Sequence, residues 1–194
     1  MVLGNANGSI ILFHPLYYNT YDFHKDEITR IISSSKGDFI ITGGSLGILH
    51  KFVIASGEVF RLPRHTAKIS AISISSKDSM LVTGCVSGKI QLINMRNRKC
   101  LNSLDVAPIS NLRISSSENC LFVGTCDNKL SIWNLTSFTA MAVMEDVQLF
   151  KVVGSKLWIV SDKTVSLLAN PLKVKWKTWV FGACLLYTSD AADE

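Results

Sequence analysis

The chain has 194 residues, of which 47% are hydrophobic and 18% are charged, and its net charge is +5. This composition excludes an intrinsically disordered chain, because it supplies enough apolar side chains for a core of ordinary domain size. No apolar run reaches the length of about 18 residues that a membrane-spanning helix needs. The start, MVLGNANGS, lacks the basic and apolar segments of a secretory signal, so we expect an intracellular protein, cytoplasmic or nuclear, without a membrane partner.

The residues that usually carry chemistry show no spacing typical of a metal or cofactor site. The five cysteines form no CxxC pair and have no histidine partners at the spacing of zinc ligands. The four histidines are scattered, without a carboxylate at a spacing that indicates acid and base catalysis. We therefore expect no metal, no cofactor and no small-molecule substrate.

One pattern occurs four times along the chain. Each copy begins with glycine, has glycine or asparagine four positions later, and closes on a large apolar residue. The copies are Gly4–Phe13, Gly43–Phe52, Gly84–Ile93 and Gly124–Trp133, and their leading glycines are 39, 41 and 40 residues apart. Self-similarity at a period near forty residues predicts a repeat architecture.

The same series of elements precedes each of the last three copies. An isoleucine (Ile28, Ile69 or Ile109) begins a predicted strand, and a serine-rich turn and a short apolar run follow it. The apolar runs predict buried strands. With the strand after the glycine turn and a final strand, one unit has four short antiparallel strands, which is typical of a propeller blade. The predicted fold class is all-β, a β-propeller of four-stranded antiparallel blades.

These units resemble the WD-repeat (WD40) family of β-propellers. The matching positions are His24 and His65 at the histidine of the family's Gly-His pair, Thr83 at its serine or threonine, Asp127 at its turn aspartate, and Trp133 in its Trp-Asp dipeptide. The resemblance implies that these four residue types are linked by hydrogen bonds within a blade. Because no copy has all four, we expect blade stability to depend more on apolar packing between neighbouring sheets.

The resemblance also predicts how the chain is divided. The predicted units are approximately 1–22, 23–63, 64–104, 105–141 and 142–183. Since WD-repeat propellers most often have seven blades, or about 280 residues, we interpret residues 1–183 as an incomplete propeller of about four to five blades. Residues 184–194, CLLYTSDAADE, continue no upstream pattern, and we interpret them as a non-native tail translated from a sequencing adapter. Without the three acids of this tail, the net charge is +8.

One copy contains the GxSxG pattern of hydrolases, with Ser45 at the position of a nucleophile. A nucleophile elbow needs a strand before the serine and a helix after it, whereas Ile48–Phe52 predicts a strand. The SxxK of Ser33–Lys36 likewise falls in a repeated serine-rich turn. We therefore predict that the chain is not an enzyme.

Two groups of residues are candidates for binding partners. The resemblance implies that loops entering the first strand of each blade, and turns between its second and third strands, contact protein partners; the candidate positions are Lys25, Glu27, Ser45, Lys68, Val86 and Cys126. A basic cluster of Arg96, Arg98 and Lys99, and the alternating lysines 173, 175 and 177, indicate either a solvated surface or contacts with RNA phosphates or an acidic protein segment. The resemblance implies a scaffold for protein–protein interaction within a larger complex, and the alternative is a basic subunit of an RNA-containing assembly such as ribosome biogenesis machinery.

Overall fold

In the computed structural model, residues 1–13, 16–153, 156–161 and 165–168 are described, and they form eighteen strands in five antiparallel sheets. The first sheet contains β1 (Val2–Gly4), β2 (Ser9–Phe13) and β3 (Tyr18–Asp22). The second contains β4 (Ile28–Ser33), β5 (Phe39–Gly44), β6 (Leu49–Val53) and β7 (Val59–Arg61). The third contains β8 (Ile69–Ile74), β9 (Met80–Cys85), β10 (Lys89–Asn94) and β11 (Lys99–Asp105). The fourth contains β12 (Ile109–Ile114), β13 (Cys120–Thr125), β14 (Leu130–Asn134) and β15 (Ala140–Met144), and the fifth contains β16 (Leu149–Val153), β17 (Lys156–Val160) and β18 (Val165–Leu168).

Within every sheet the strands pair in the order of the sequence, as a meander. This arrangement confirms the predicted all-β class with antiparallel blades, three of which have four strands. The predicted unit boundaries at 104 and 141 fall inside β11 and β15, which continue to Asp105 and Met144. The interpretation of 184–194 as a foreign tail concerns residues outside the described ranges.

Each pair of neighbouring sheets encloses its own apolar layer. In β5, Ile40 packs in the layer shared with the first sheet, while the next residue, Ile41, packs in the layer shared with the third sheet. In β9, Leu81 likewise packs in the layer shared with the second sheet, and Val82 packs in the layer shared with the fourth sheet. A strand that is buried on both faces needs consecutive apolar residues, which explains why the apolar runs do not alternate with polar residues.

The leading glycine of each repeat marks the closest approach between sheets. A Cβ atom at Gly43 would lie 2.7 Å from Cγ2 of Ile69, and one at Gly84 would lie 2.8 Å from Cδ1 of Ile109. Each of these isoleucines lies in the first strand of the following sheet. The recurring glycine and the recurring isoleucine therefore form one contact, made between successive blades.

Hydrogen bonds across successive blades also link the turns between their first and second strands. The backbone N–H and the hydroxyl of Ser35 donate to Oδ1 of Asp78, at 2.9 and 3.0 Å. One blade later, the hydroxyl of Ser76 and the N–H of Lys77 donate to Oε1 of Glu118, both at 2.9 Å. Desolvation disfavours the Glu118 carboxylate, but these hydrogen bonds outweigh it and lower the pKa of Glu118 below its usual value.

We predict that Glu118→Gln lowers the free energy of unfolding by about 0.5–1 kcal/mol at pH 7, because the uncharged amide oxygen accepts the two hydrogen bonds of this partly exposed site without their charge assistance. A lowered folded-state pKa means that this stabilisation is present above about pH 5 and is lost as the pH falls through that pKa. Urea unfolding between pH 7 and pH 4 measures the difference, which should shrink towards pH 4. Asp105→Asn, which removes an exposed carboxylate with no hydrogen bond or ion pair among the described residues, is the control. A difference that is independent of pH, or is equal for the control, would contradict the prediction.

Candidate partner-binding rim

The six predicted loop residues lie along one edge of the sheets, which we call the rim. The rim consists of the loops that enter β4, β8 and β12, together with the β5–β6, β9–β10 and β13–β14 turns of the same sheets. In the second, third and fourth sheets, a backbone hydrogen bond joins the turn to the loop. The N–H of Ser45 donates to the carbonyl of Glu27 at 2.9 Å, that of Val86 to Lys68 at 2.9 Å, and that of Cys126 to Pro108 at 2.7 Å. The structure thus brings these candidate positions together within their own blades.

A second hydrogen bond joins every turn of the rim to the loop of the following blade. The N–H of His65 donates to the carbonyl of Gly47 at 3.0 Å, the N–H of Val106 to Gly88 at 2.9 Å, and the N–H of Val147 to Asn128 at 2.7 Å. Gly47 has a φ of 76°, and a Cβ atom at this position would lie 2.3 Å from the carbonyl oxygen of His65. Loops and turns therefore alternate in one continuous hydrogen-bonded series along the second, third and fourth sheets.

The side chains of the rim point outwards and carry mixed charge. Lys25, Glu27, Lys68 and Val86 are exposed, and Ser45 is half-buried. Nζ of Lys68 lies 3.7 Å from Oε2 of Glu27 and forms an ion pair between neighbouring blades. This ion pair contributes little to stability, because both side chains are about half exposed. Sequence reasoning missed Arg64, whose guanidinium Nη2 donates to the carbonyl of Leu46 at 3.1 Å and so spans two blades.

Ser45 lies in the turn between β5 and β6, as predicted, and a strand follows it. Its hydroxyl is 3.5 Å from Oδ2 of Asp26, which also accepts the N–H of Leu46 at 2.7 Å. His24, which contacts the same Asp26, instead directs its ring nitrogens at Asp26 and at Thr42. Ser45 is therefore held as a turn residue, and no histidine of the described residues forms a hydrogen bond with its hydroxyl.

Behind the rim of the second sheet lies a buried network that the sequence analysis missed. Nδ1 of His24 is 3.2 Å from Oδ1 of Asp26, and its Nε2 is 2.6 Å from the Thr42 hydroxyl and 3.1 Å from Nδ1 of His50. Because an ionised carboxylate only accepts hydrogen bonds, we assign the His24 proton to Nδ1, which leaves the single lone pair of Nε2 to accept from the closer neighbour, the Thr42 hydroxyl. The short spacing of His24 and Asp26 was the available signal, since only one residue separates them.

Both histidines of this network are held neutral. Burial lowers the pKa of His24, although Asp26 opposes the shift, and burial together with the neighbouring His24 and Arg61 lowers the pKa of His50 to about 4. Two imidazolium ions 3.1 Å apart would repel each other, so the neutral state also suits the geometry. The network is a structural support for the rim and has no exposed proton donor, because Thr42 is fully buried and His24 and His50 nearly so.

The remaining motif residues form only partial networks. In the third sheet, Nε2 of His65 lies 2.9 Å from the Thr83 hydroxyl, as the resemblance implied, but the buried Nδ1 has no partner among the described residues. Burial lowers the pKa of His65 to about 4. In the fourth sheet, Asp127 accepts from the Thr125 hydroxyl, whereas Trp133 donates its indole N–H to Ser131 at 2.8 Å. Asp127 and Trp133 thus bind separate partners.

The basic cluster lies at the β10–β11 turn, at the end of β10 opposite the rim. Arg96, Arg98 and Lys99 are all exposed there, and Asn94 Oδ1 accepts the backbone N–H of Arg96 at 2.9 Å. The guanidinium of Arg98 stacks on the Phe60 ring of the second sheet, 4.4 Å from its centroid. Arg98 therefore contributes to packing between blades, while Arg96 and Lys99 extend into solvent. The candidate lysines 173, 175 and 177 lie outside the described residues.

In the described ranges, no three or more histidine, cysteine, aspartate or glutamate side chains gather closely enough to hold a metal ion. The same ranges contain no helix with the length and apolar character needed to cross a lipid bilayer.

We predict that Asp26→Ala lowers the free energy of unfolding by about 1–3 kcal/mol, because it leaves the buried Nδ1–H of His24 and the N–H of Leu46 without an acceptor. The neighbouring exposed carboxylate provides the control, Glu27→Ala, for which we expect a loss below about 1 kcal/mol. Urea unfolding at pH 7 measures both. Equal losses would show that Asp26 does not support the rim in the way its contacts indicate.

Comparison with known proteins is consistent with this geometry. The family model described as WD domain, G-beta repeat matches residues 56–94 and 98–134. Each match begins near the outer strand of one sheet, β7 or β11, and ends with the third strand of the next, β10 or β14. The chain is also 26% identical over 103 residues to the U3 small nucleolar RNA-associated protein 18 homolog of Mus musculus. That alignment covers 53% of this chain and only 18% of the relative. Residues 56–94 and 98–134, which lie in these antiparallel sheets, are therefore two WD40 repeats.

Proposed function

We propose that the chain is a non-enzymatic scaffold that binds protein segments at its rim, within a larger complex. The observation that carries this proposal is the continuous series of backbone hydrogen bonds along the rim, which fixes loop and turn positions while exposed side chains remain available for contact. A surface that is already ordered loses little conformational entropy when a partner binds. Binding of proteins is also the usual function of WD40 domains.

The geometry around the candidate nucleophile supports a binding function over catalysis. Ser45 faces a carboxylate rather than an imidazole, and the histidines His24, His50 and His65 are buried and neutral. General acid and base catalysis at neutral pH favours groups whose pKa lies near 7, whereas His50 and His65 have pKa values of about 4.

Affinity capture from a cell extract, followed by mass spectrometry, tests the scaffold proposal. We expect the Lys68→Glu, Val86→Asp variant to retain its specific partners about five- to tenfold less well than the unaltered chain, because both side chains are exposed on the rim. Arg61→Glu, Leu101→Asp makes a matching change of charge and polarity on the outer strands and should retain them. If both variants capture the same proteins as the unaltered chain, the proposal that the rim binds the partners is wrong.

A second candidate function is that of a basic subunit in an RNA-containing assembly. The specific observation that favours it is the name of the murine relative, which is associated with a small nucleolar RNA. The exposed Arg96 and Lys99 could contact phosphates, and the relative's name supports a nuclear location for this chain.

Binding of a labelled single-stranded RNA, followed by fluorescence anisotropy over a range of salt concentrations, tests this second candidate. We expect Arg96→Glu, Lys99→Glu to weaken binding about tenfold and to reduce the steepness of the salt dependence by about 1 to 2 in log–log slope. Lys36→Glu, Lys156→Glu removes two exposed cations elsewhere and serves as the control. Binding that does not respond to salt, or equal losses in both variants, would remove the RNA hypothesis for this cluster.

A further inference from the structure

The first strands of four sheets line a cleft along the inner side of the blades. β4, β8, β12 and β16 contribute to one cavity of about 440 Å³. A second cavity of about 270 Å³ shares Arg113 with the first and extends towards the serine-rich turns. We call the two cavities together the inner cleft.

Cations line the inner cleft, and none of the described residues that line it carries a carboxylate. Arg30 and Arg113 border the first cavity, while Arg113 and Lys151 border the second. All three side chains are exposed, and in the described part of the chain the side chains of Arg113 and Lys151 form no hydrogen bond or ion pair. The Nη1–H group of Arg30 donates a hydrogen bond to the carbonyl of Thr29 at 2.7 Å. Three cations without a compensating acid create a positive potential that low-dielectric walls focus into the cleft.

The strands that carry Arg30 and Arg113 are both hydrogen-bonded to β8, which lies between them. The hydroxyl of Thr29 in β4 donates to the carbonyl of Ile69 in β8 at 2.7 Å. The N–H of Ile114 in β12 donates to the hydroxyl of Ser73 in β8 at 3.0 Å. Arg30 and Arg113 therefore stand on strands that are already held in place, so a ligand that matches their charge need not order the backbone beneath them.

We propose that the inner cleft binds an extended acidic peptide segment of a protein partner, whose carboxylates pair with Arg30, Arg113 and Lys151. This inference rests on the proposed scaffold function and gives the partner its chemistry. Arginine suits carboxylates because its guanidinium offers parallel N–H donors, and Lys151 supplies a further positive charge. Ser70, Ser110 and Asn111 of the cleft wall provide uncharged polar groups beside these cations.

The walls of the cleft favour a peptide over RNA. Binding of single-stranded RNA depends on exposed aromatic rings that stack against bases. Phe150 is the only ring that lines the described cleft, and it is buried between sheets, where it contacts Phe122 at a ring distance of 6.4 Å. A peptide needs no such platform, since an extended chain presents side chains on alternate sides and can direct every second residue at the cations.

The test measures binding of a fluorescein-labelled peptide that alternates glutamate and serine, by fluorescence anisotropy with the full chain. A peptide that alternates glutamine and serine is the uncharged probe, and an oligouridylate of equal charge is the RNA probe. We expect the glutamate peptide to bind most tightly, and the Arg30→Glu, Arg113→Glu, Lys151→Glu variant to raise its Kd at least about tenfold.

The matched control is Lys36→Glu, Arg61→Glu, Lys156→Glu, which makes the same change in net charge at exposed positions outside the cleft and should change the Kd less than about twofold. If the cleft variant loses its β-sheet circular dichroism, Arg113→Gln decides the question: we expect a Kd at least about threefold higher, with Lys36→Gln unchanged. Equal effects of the two triple variants, equal binding of both peptides, or tighter binding of the oligouridylate through the same residues would overturn the inference. Loss of this binding alone, while rim-dependent capture persists, would leave the scaffold proposal standing.

Discussion

The contact between the leading glycine of one blade and the first-strand isoleucine of the next determines how the sheets are stacked. At Gly43 and Gly84 no side chain fits, because Ile69 and Ile109 already occupy the space. Any larger residue would push the next sheet away and open the apolar layer between them, where packing is dense and voids are costly. The contact recurs from blade to blade, with Phe150 in place of the isoleucine beside Gly124, so the period of about forty residues in the sequence is a period of inter-blade packing.

The second glycine of the pattern extends this constraint to the rim. Gly47 and Gly88 adopt positive φ values, 76° and 91°, and their carbonyls accept an N–H from the following blade. A side chain at either position would collide with that same following loop. The turn is thus held by its own blade on one side and by the next blade on the other, which leaves outward residues such as Lys68 and Val86 free to differ between repeats without loss of the backbone path.

Much of this architecture could be predicted from the sequence, because it depends on residues that recur in register. Recurring residues predicted the strands, the turn at Ser45 and the pairing of His65 with Thr83. The inner cleft could not be predicted, since Arg30, Arg113 and Lys151 do not form a repeated pattern and lie near one cleft only because the sheets stack side by side. The contribution of Asp26 was missed for a different reason: its carboxylate is accommodated only because Gly44 has no side chain, and a Cβ atom there would lie 2.2 Å from its Oδ2.

The third sheet has neither a carboxylate at the position of Asp26 nor a glycine at the position of Gly44. Ala67 stands where the second sheet has Asp26, and the buried Cys85 stands where it has Gly44, so the space for a carboxylate is filled. Nδ1 of His65 consequently has no hydrogen-bond partner in the described part of the chain, which costs about 1–3 kcal/mol for a buried polar atom. The same Cys85 side chain packs with Ile69, Leu81 and Ile93, all fully buried, and this apolar contact offsets the missing hydrogen bond. Two neighbouring blades thus stabilise the same loop in different ways, the second by a polar network behind the rim and the third by a fuller apolar layer.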